Sequence, residues 1–259
     1  HMPEKKNSFK IDLNEKSSVK KIIGVVSGKG GVGKSFVTSM LACEMARRGY
    51  RVGVLDGDIT GPSQTKAFGI HEKAMGDGKY IYPYITKNGI QVISTNMILD
   101  SDETPVIWRG PMVANILKQF YTDVVWDNVD YMFVDMPPGT SDVPLTAFQS
   151  FPLDGIVVVT SPQELVSMVV EKAINMAQSM DIKVLGLIEN MSYVECPNCN
   201  EKIEIFGKSH INEVSEKYGL PVLAKIPMRQ TVAASADDGT MEDLEIPEIK
   251  DAVSFIEGK

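Results

Sequence analysis

The chain has 259 residues, of which 43% are hydrophobic, and this is enough apolar material for one large α/β domain with a sizeable core. Its formal net charge of −8 argues against nonspecific binding to nucleic acid, because such binding depends on a basic surface that displaces counterions. No apolar stretch approaches the ~20 residues that a membrane-spanning helix needs. We therefore expect a cytoplasmic protein with neither nucleic acid nor a membrane among its partners.

The N-terminal stretch is polar and has no apolar segment of the kind that a signal peptide contains. His1 and Met2 look like the remnant of a cleaved tag, and the stretch through about Ser18 is expected to be a flexible lead-in. The sequence therefore predicts a lead-in over residues 1–18 and a single domain over residues 19–259.

A glycine-rich loop follows the first predicted strand, which covers residues 20–26. The segment Gly-Lys-Gly-Gly-Val-Gly-Lys-Ser, from Gly28 to Ser35, fits the pattern G-x-x-x-x-G-K-[ST]. Glycines let the backbone approach closely, so that successive N–H groups point at phosphate oxygens. Lys34 then meets the β- and γ-phosphates, and the Ser35 hydroxyl is placed for Mg²⁺. Apolar residues at helical spacing predict a helix that ends before Gly49. The predicted nucleotide-binding residues of this loop are Gly28, Lys29, Gly30, Gly31, Val32, Gly33, Lys34, Ser35 and Phe36.

Lys29 is a second lysine in this loop, directly before the paired glycines, and ordinary phosphate loops lack it. A lysine has no packing reason to be in a loop that approaches a polyanion. We interpret it as a cation aimed at charge that develops on the phosphates, which is the task of an arginine finger elsewhere. A solvated loop charge is the alternative.

Downstream of this loop, short apolar runs alternate with helical patterns. This alternation predicts an α/β fold, a mostly parallel sheet flanked by helices on both faces. A predicted hairpin with a turn at Asn88-Gly89 interrupts this alternation of strands and helices as an insertion. The predicted strands cover residues 51–56, 79–86, 90–95, 131–135, 155–159, 183–189 and 222–225, and the predicted helices cover residues 108–121, 164–180, 208–218 and 249–256.

Two acidic segments come directly after predicted strands, at the strand ends where α/β sheets bind ligands. Asp135 can hold Mg²⁺, usually through water, and the loop after it suits a segment that responds to the γ-phosphate. The alternative for Asp135 is an acid that caps the next turn. Asp58 is the better candidate for orienting the attacking water, and Asp56 alternatively assists the metal.

Cys196 and Cys199 enclose Pro197-Asn198 in a loop after a strand, a spacing that lets two thiolates bind one soft metal centre. The remaining cysteine, Cys43, is expected to be a buried, inert thiol on the first helix. The pair is half of a four-thiolate site, so two chains about a twofold axis would complete it. A structural zinc that bridges the same dimer and a redox-active thiol couple are the alternatives.

The loop with Lys29 resembles the deviant Walker A family of ATPases, which includes the nitrogenase iron protein and the cell-division and plasmid-partition ATPases. Five further segments narrow the resemblance to its Mrp/ApbC branch of iron–sulfur cluster carriers. The resemblance implies a P-loop NTPase fold in which Lys29 reaches across a dimer interface to the partner's nucleotide. It also implies that Asn190 contacts the adenine base and that Pro227 lines the same pocket, although from the residues alone Asn190 is equally a turn residue. Phe36 stands where the family more often has Thr. The five segments are residues 56–63, 108–112, 135–142, 188–192 and 196–199.

Together these features predict a homodimeric, Mg²⁺-dependent ATPase that holds a [4Fe–4S] cluster between its subunits and transfers it to recipient apoproteins. Its cofactors are ATP, Mg²⁺ and the cluster. A positioning or partition-type ATPase switch and a scaffold with a structural zinc at the cysteine pair are the alternative functions. The predicted catalytic residues are Lys29, Lys34, Asp58 and Asp135; the predicted metal ligands are Cys196 and Cys199 for the cluster, and Ser35 and Asp135 for Mg²⁺.

Overall fold

The computed structural model describes residues 11–58, 61, 63–98, 110–140, 142–163 and 168–258. Short strands alternate with helices along most of this chain. In chain order the strands are β1 (Val19–Ser27), β2 (Val52–Asp56), β3 (Met75–Gly76), β4 (Ile81–Tyr82), β5 (Tyr84–Ile85), β6 (Gln91–Ile93), β7 (Val129–Asp135), β8 (Gly155–Thr160), β9 (Val184–Glu189), β10 (Val194–Glu195), β11 (Lys202–Ile203) and β12 (Val222–Lys225). The α-helices are α1 (Lys34–Arg47), α2 (Gln64–Ala67), α3 (Gly110–Thr122), α4 (Asp142–Ser150), α5 (Val169–Ser179), α6 (Ile211–Tyr218), α7 (Gln230–Asp238) and α8 (Pro247–Glu257), with 3₁₀ turns at Thr95–Met97 and Met241–Asp243.

Eight strands form one sheet in the order β12-β9-β8-β1-β7-β2-β6-β5. All neighbouring strands are parallel except β5, which is antiparallel to β6 at one edge. After β1 the chain adds β2 and β6 on one side and then returns to place β7 between β1 and β2; β8, β9 and β12 follow on the other side of β1. The loop after β1 therefore lies at the carboxyl ends of the strands where the direction of winding reverses, which is the usual ligand site of such sheets.

The central strands consist mostly of apolar residues because both faces of a parallel sheet are covered by helices. Every residue of β2 and β8 is buried, and so are the last six residues of β1. The largest fully buried side chains include Trp126, Phe120 and Phe133. The predicted fold class is confirmed, and the strands predicted over residues 51–56, 131–135, 155–159, 183–189 and 222–225 correspond to β2, β7, β8, β9 and β12.

Four parts of the secondary structure differ from the sequence-based expectation. The predicted strand over residues 79–86 is interrupted at Pro83, so that β4 pairs with β3 and only β5 pairs with β6 in the predicted hairpin. Helices α2, α4 and α7 were not predicted. The beginnings of the helices predicted over residues 108–121 and 164–180 lie outside the described residues.

Residues 14–18 form hydrogen bonds with the end of α3 and with the segment that joins α3 to β7. The side-chain amide of Asn14 donates to the carbonyl oxygens of Thr122 (2.7 Å) and Val124 (2.9 Å). The backbone N–H of Ser18 donates to the carbonyl oxygen of Trp126 at 2.9 Å. These hydrogen bonds involve the last residues of the predicted lead-in, and the flexible lead-in through about Ser18 stays a prediction. The rest of the predicted division, a single domain over residues 19–259, stays a prediction.

Within the described part of the chain, no helix combines the length and the apolar character that a membrane span requires.

Candidate functional site

The predicted phosphate loop connects β1 to the N-terminus of α1. Gly31 and Gly33 have φ angles of 87° and 82°, which glycine adopts without the steric cost that other residues incur. Gly33 also has no room for a side chain, because an added Cβ would lie 2.1 Å from Nδ2 of Asn190. The backbone N–H of Val37 donates to the carbonyl oxygen of Gly33 at 3.0 Å, so the N–H groups between them are the open first turn of α1. A helix N-terminus of this kind binds phosphate through backbone N–H groups and the helix dipole.

Lys34 and Asp135 form a buried ion pair behind the loop. The Lys34 ammonium group donates to Oδ1 of Asp135, and the two side chains are 5% and 0% exposed. Asp135 ends β7 and is the register partner of Asp56, which ends the neighbouring strand β2. The sheet therefore brings together the lysine and two acids that were predicted from separate motifs.

Asp56 is held by three hydrogen bonds. Its carboxylate accepts from the backbone N–H groups of Asp58 (3.2 Å) and Gln64 (3.1 Å) and from the hydroxyl of Ser94 (3.0 Å). Burial, followed by the nearby charge of Asp135, raises the pKa of Asp56 to about 7. Asp56 thus fixes the start and the end of the loop that contains Asp58, whose own side chain is half-buried.

Gln64 is a site residue that the sequence analysis missed. Its side-chain amide donates to Oδ2 of Asp135 (2.9 Å) and to the carbonyl oxygen of Ser35 (3.0 Å), and its amide oxygen accepts from the hydroxyl of Ser39 (2.8 Å). The side chain is fully buried. Gln64 therefore joins α2, α1 and the end of β7 around Asp135. The sequence signal available for Gln64 was its position directly after residues 56–63, the segment that begins Asp-Gly-Asp. A polar side chain that becomes buried there needs hydrogen-bond partners.

The other predicted nucleotide residues surround this centre. Lys29 is exposed, and Ser35 and Phe36 are half-buried at the start of α1. Asn190 is buried after β9, and its side-chain amide donates to the carbonyl oxygen of Val32 at 3.0 Å. Pro227 is buried at the end of β12, the strand next to β9. Two residues of the resembling segment 108–112, Trp108 and Arg109, lie outside the described residues.

The two predicted cluster ligands lie at the tip of a hairpin formed by β10 and β11. Val194 pairs with Ile203 and Glu195 pairs with Lys202, so the hairpin has only two rungs. Between these strands the N–H of Cys196 donates to the carbonyl oxygen of Glu201 (2.9 Å), and the carbonyl oxygen of Cys196 accepts from the N–H of Asn200 (2.9 Å). The predicted turn after a strand is thus the end of a separate small hairpin.

The cysteines differ in reactivity. Cys196 is half-buried and Cys199 is exposed, whereas Cys43 is buried in α1. The N–H groups of Asn198 and Cys199, together with the Cys199 thiol, lower the pKa of Cys196. Burial raises the pKa of Cys43 to about 12, which makes its thiol a poor nucleophile and ligand. Within the described ranges, no three His, Cys, Asp or Glu side chains of the one chain come together to hold a metal.

A glycine-rich loop that opens a helix at the end of a central parallel strand, with a strand-end acid against its lysine, defines the chain as a P-loop NTPase. A family model described as NUBPL iron-transfer P-loop NTPase matches residues 18–257, and the chain belongs to this family. The resemblance to iron–sulfur cluster carriers among the deviant Walker A ATPases is confirmed.

Individual relatives support this membership. The chain is 46% identical over 234 residues to an iron-sulfur cluster carrier protein of Clostridium perfringens, and the match covers 87% of this chain and 82% of that protein. It is 43% identical to a protein of the same name from Methanocaldococcus jannaschii, with 86% and 78% covered. A solved nucleotide-binding protein from Archaeoglobus fulgidus in complex with ADP is 39% identical, with a TM-score of 0.80 over 89% of this chain and 90% of that one. The cell division ATPase MinD of Pyrococcus furiosus shares the fold, with a TM-score of 0.65 at 19% identity over 92% of this chain and 98% of that one.

Proposed function

We propose that this chain hydrolyses ATP with Mg²⁺ as a homodimer, holds a [4Fe–4S] cluster between its subunits and transfers that cluster to recipient apoproteins. The observation that carries the proposal is that one chain has both a two-lysine phosphate loop and an accessible cysteine pair at a hairpin tip. The ADP bound by the Archaeoglobus fulgidus relative and the carrier names of the other relatives support it. In this proposal the cluster is cargo and the nucleotide drives its handling.

The residues around the phosphate loop fit Mg²⁺. Ser35 offers a hydroxyl at the start of α1, and Asp135 offers a carboxylate, and Mg²⁺ prefers such oxygen donors together with water and phosphate. When bound, the ion neutralises phosphate charge. Lys34 would turn from Asp135 to the β- and γ-phosphate oxygens, and the Asp135 carboxylate would then be available to hold the metal. Gln64 keeps Asp135 in place during this exchange.

Hydrolysis requires an oriented water and a cation for the developing charge. We assign the water to Asp58, whose loop is anchored on Asp56, and the cation to Lys29 of the opposite subunit. The exposure of Lys29 is consistent with a contact outside its own chain. Asn190 and Pro227 are assigned to the adenine pocket, because both follow neighbouring strands, β9 and β12.

The cysteine pair supplies two thiolates per chain, and a [4Fe–4S] cluster takes four. A twofold dimer provides the remaining two, and the lowered pKa of Cys196 favours the thiolate form that binds iron. The predicted cytoplasmic location and the expectation of neither nucleic acid nor a membrane as partners belong to the same proposal.

The deciding experiment is anaerobic reconstitution followed by iron and sulfide analysis. We expect about four iron and four sulfide per dimer, because a four-thiolate site needs both subunits. Cys196→Ala and Cys199→Ala should each abolish the cluster while nucleotide binding persists, and Cys43→Ala is the matched control that should retain it. One tightly bound zinc per dimer that iron and sulfide cannot replace would instead establish a scaffold with a structural metal.

A further inference from the structure

Glu189 is a buried carboxylate that the nucleotide and cluster chemistry above does not use. It is the last residue of β9 and its side chain is 0% exposed. Oε1 accepts a hydrogen bond from the hydroxyl of Ser192 at 2.6 Å, and Oε2 accepts one from the hydroxyl of Ser209 at 2.7 Å. Both carboxylate oxygens are therefore bound to residues that follow the strand in the chain.

The two serines enclose the cysteine-bearing segment, residues 193–208. Ser192 precedes it, and the N–H of Ser192 also donates to the carbonyl oxygen of Ile226 at 2.9 Å. Ser209 follows it, and the Ser209 hydroxyl accepts from the N–H of Ile211, the first residue of α6, at 3.3 Å. One carboxylate thus fastens the segment where it leaves the sheet and where it returns.

Between these two points the segment has a further backbone bond to the rest of the chain at its first residue, where the carbonyl oxygen of Tyr193 accepts from the N–H of Met228 at 2.8 Å. Its hairpin has two rungs, and an isolated two-stranded hairpin is marginally stable at best in water. Three of its apolar side chains are exposed: Ile203 (48%), Ile205 (57%) and Phe206 (36%). The geometry at the base of the segment therefore decides where the cysteines are held.

The same strand end also contacts the phosphate loop. Asn190, the residue after Glu189, donates through its backbone N–H to the carbonyl oxygen of Thr160 at 2.8 Å and through its side chain to that of Val32 at 3.0 Å. Adjacent residues of one strand end thus hold the cysteine segment and the nucleotide loop. A buried polar side chain needs hydrogen-bond partners, and Glu189 finds two of them at the two ends of the cysteine segment.

We infer that Glu189 is a positioning residue that fixes the cysteine pair relative to the sheet and links its position to the phosphate loop through Asn190. The inference deepens the proposed function, on which it rests for the identity of the cargo. The fastening of the cysteine segment is independent of any cluster, so the proposed function and the inference can fail separately.

The first test measures the alkylation rates of Cys196 and Cys199 by iodoacetamide, followed by mass spectrometry, on the full chain without a cluster. Ser209→Ala removes one end of the fastening and should raise the rate at the half-buried Cys196 about tenfold, which is the change in an opening equilibrium that the loss of one such hydrogen bond causes. Cys199 is already exposed and reacts without opening, so its rate is the internal reference. Ser179→Ala is the matched control, because the Ser179 hydroxyl on α5 bonds only locally to the Met176 carbonyl oxygen at 2.8 Å. A wild-type Cys196 rate in Ser209→Ala, or equal acceleration in both variants, would overturn the inference.

Conservative replacement separates positioning from mere folding. Glu189→Gln keeps two hydrogen-bonding atoms for the serine hydroxyls and should restore near wild-type alkylation, whereas Glu189→Leu fills the same space and should raise the Cys196 rate like Ser209→Ala. Nucleotide affinity should be retained in Ser209→Ala and in Glu189→Gln. If Glu189→Gln and Glu189→Leu alkylate equally fast, the hydrogen bonds do not position the cysteines.

The link to the phosphate loop is tested by repeating the alkylation with Mg²⁺ and ATP. Added nucleotide should change the alkylation rate of the wild-type protein. The ratio of the rates with and without nucleotide should move toward one in Ser209→Ala. A wild-type rate that ignores nucleotide, or the same ratio in both proteins, would overturn the link. Iron loss from the reconstituted dimer to a chelator should be faster in Ser209→Ala than in Ser179→Ala. If no cluster forms in any of these proteins, the proposed cargo is wrong, and the alkylation rates still decide the role of Glu189.

Discussion

The nucleotide site and the cysteine hairpin are built in opposite ways. Around Asp135 and Asp56, buried side chains hold one another through a dense set of hydrogen bonds, with Gln64 at the centre. The hairpin has two rungs and an exposed tip. Phosphoryl transfer depends on charges that are fixed before the substrate arrives, so its site must be rigid. A carrier must release what it binds, and a tip with few contacts can do so. The predictions below test this contrast from the nucleotide side.

The largest effect is expected for Lys34→Ala. This change removes the charge assigned to the phosphates and leaves Asp135 buried without its cation, so nucleotide binding and turnover should both fall, turnover by about 10²-fold or more. ATP hydrolysis and equilibrium binding measure the two losses. Lys20→Ala, an exposed lysine at the other end of β1, is the control. Unchanged nucleotide affinity in Lys34→Ala would contradict the assigned site.

Lys29→Ala should reduce turnover by about 10²-fold and spare nucleotide affinity, because the assigned target is charge that develops in the partner's site. Mixing Lys29→Ala with a turnover-deficient variant that retains Lys29 should restore part of the activity through mixed dimers. Wild-type hydrolysis by Lys29→Ala alone would refute the role across the dimer.

Asp58→Asn and Asp135→Asn should have different effects on turnover and on nucleotide binding. Asp58→Asn keeps the shape and loses the charge that orients water, so it should bind Mg²⁺ and ATP normally and turn over about 10²-fold more slowly. Asp135→Asn should weaken the metal-dependent part of nucleotide binding. Mg²⁺ titrations of ATP binding make the comparison, and matching curves for the two variants would remove the distinction between their roles.

Gln64→Leu tests whether the rigidity of the site resides in its hydrogen bonds. It keeps the volume but removes the amide that donates to Oδ2 of Asp135, while Lys34 still pairs with Oδ1 and the Ser39 hydroxyl still donates to the Ser35 carbonyl oxygen. We expect the Mg²⁺ concentration at half-maximal turnover to rise about tenfold. Gln64→Glu should be worse, because it adds a charge beside Asp135. A maximal rate that falls at an unchanged Mg²⁺ requirement would place the role of Gln64 outside metal binding.

Gly33→Ala is expected to change stability rather than a rate: it should lower the free energy of unfolding by about 1–2 kcal/mol through its left-handed backbone, with a further loss from the contact with Asn190. Gly30→Ala is the matched control in the same loop, because nothing lies within 4 Å of its added Cβ. Thermal or urea unfolding measures both. Equal stability of the two variants would show that the loop is less constrained than the structure indicates.

The sequence predicted the elements whose signals are local. The apolar run of β1, the glycines after it and the start of α1 follow from neighbouring residues, and so do the strand ends at Asp56 and Asp135. The role of Gln64 was not predicted because its partner Asp135 is 71 positions away in the chain. The role of Asn14 was not predicted because its partners are 108 and 110 positions away. Contacts at such separations depend on the folded sheet.

The missed helices have different causes. In α4, Pro144 stands in the first turn, where proline favours helix starts, and this signal was available. In α7 no residue is fully buried, and its apolar stripe is short, with Val232 and Ala236 packed partly against the core, so the sequence pattern is weak.

Asp56 and Asp135 occupy the same rung of two adjacent parallel strands. The spacing of neighbouring strands, about 4.8 Å, therefore sets the distance between the backbones that carry the two acids. Insertions in the loops on either side leave this distance unchanged, whereas a one-residue slip within β2 would turn its acid to the opposite face of the sheet. The loops around this site can therefore differ in length without moving the two acids apart, whereas the site cannot tolerate a change in the register of these two strands.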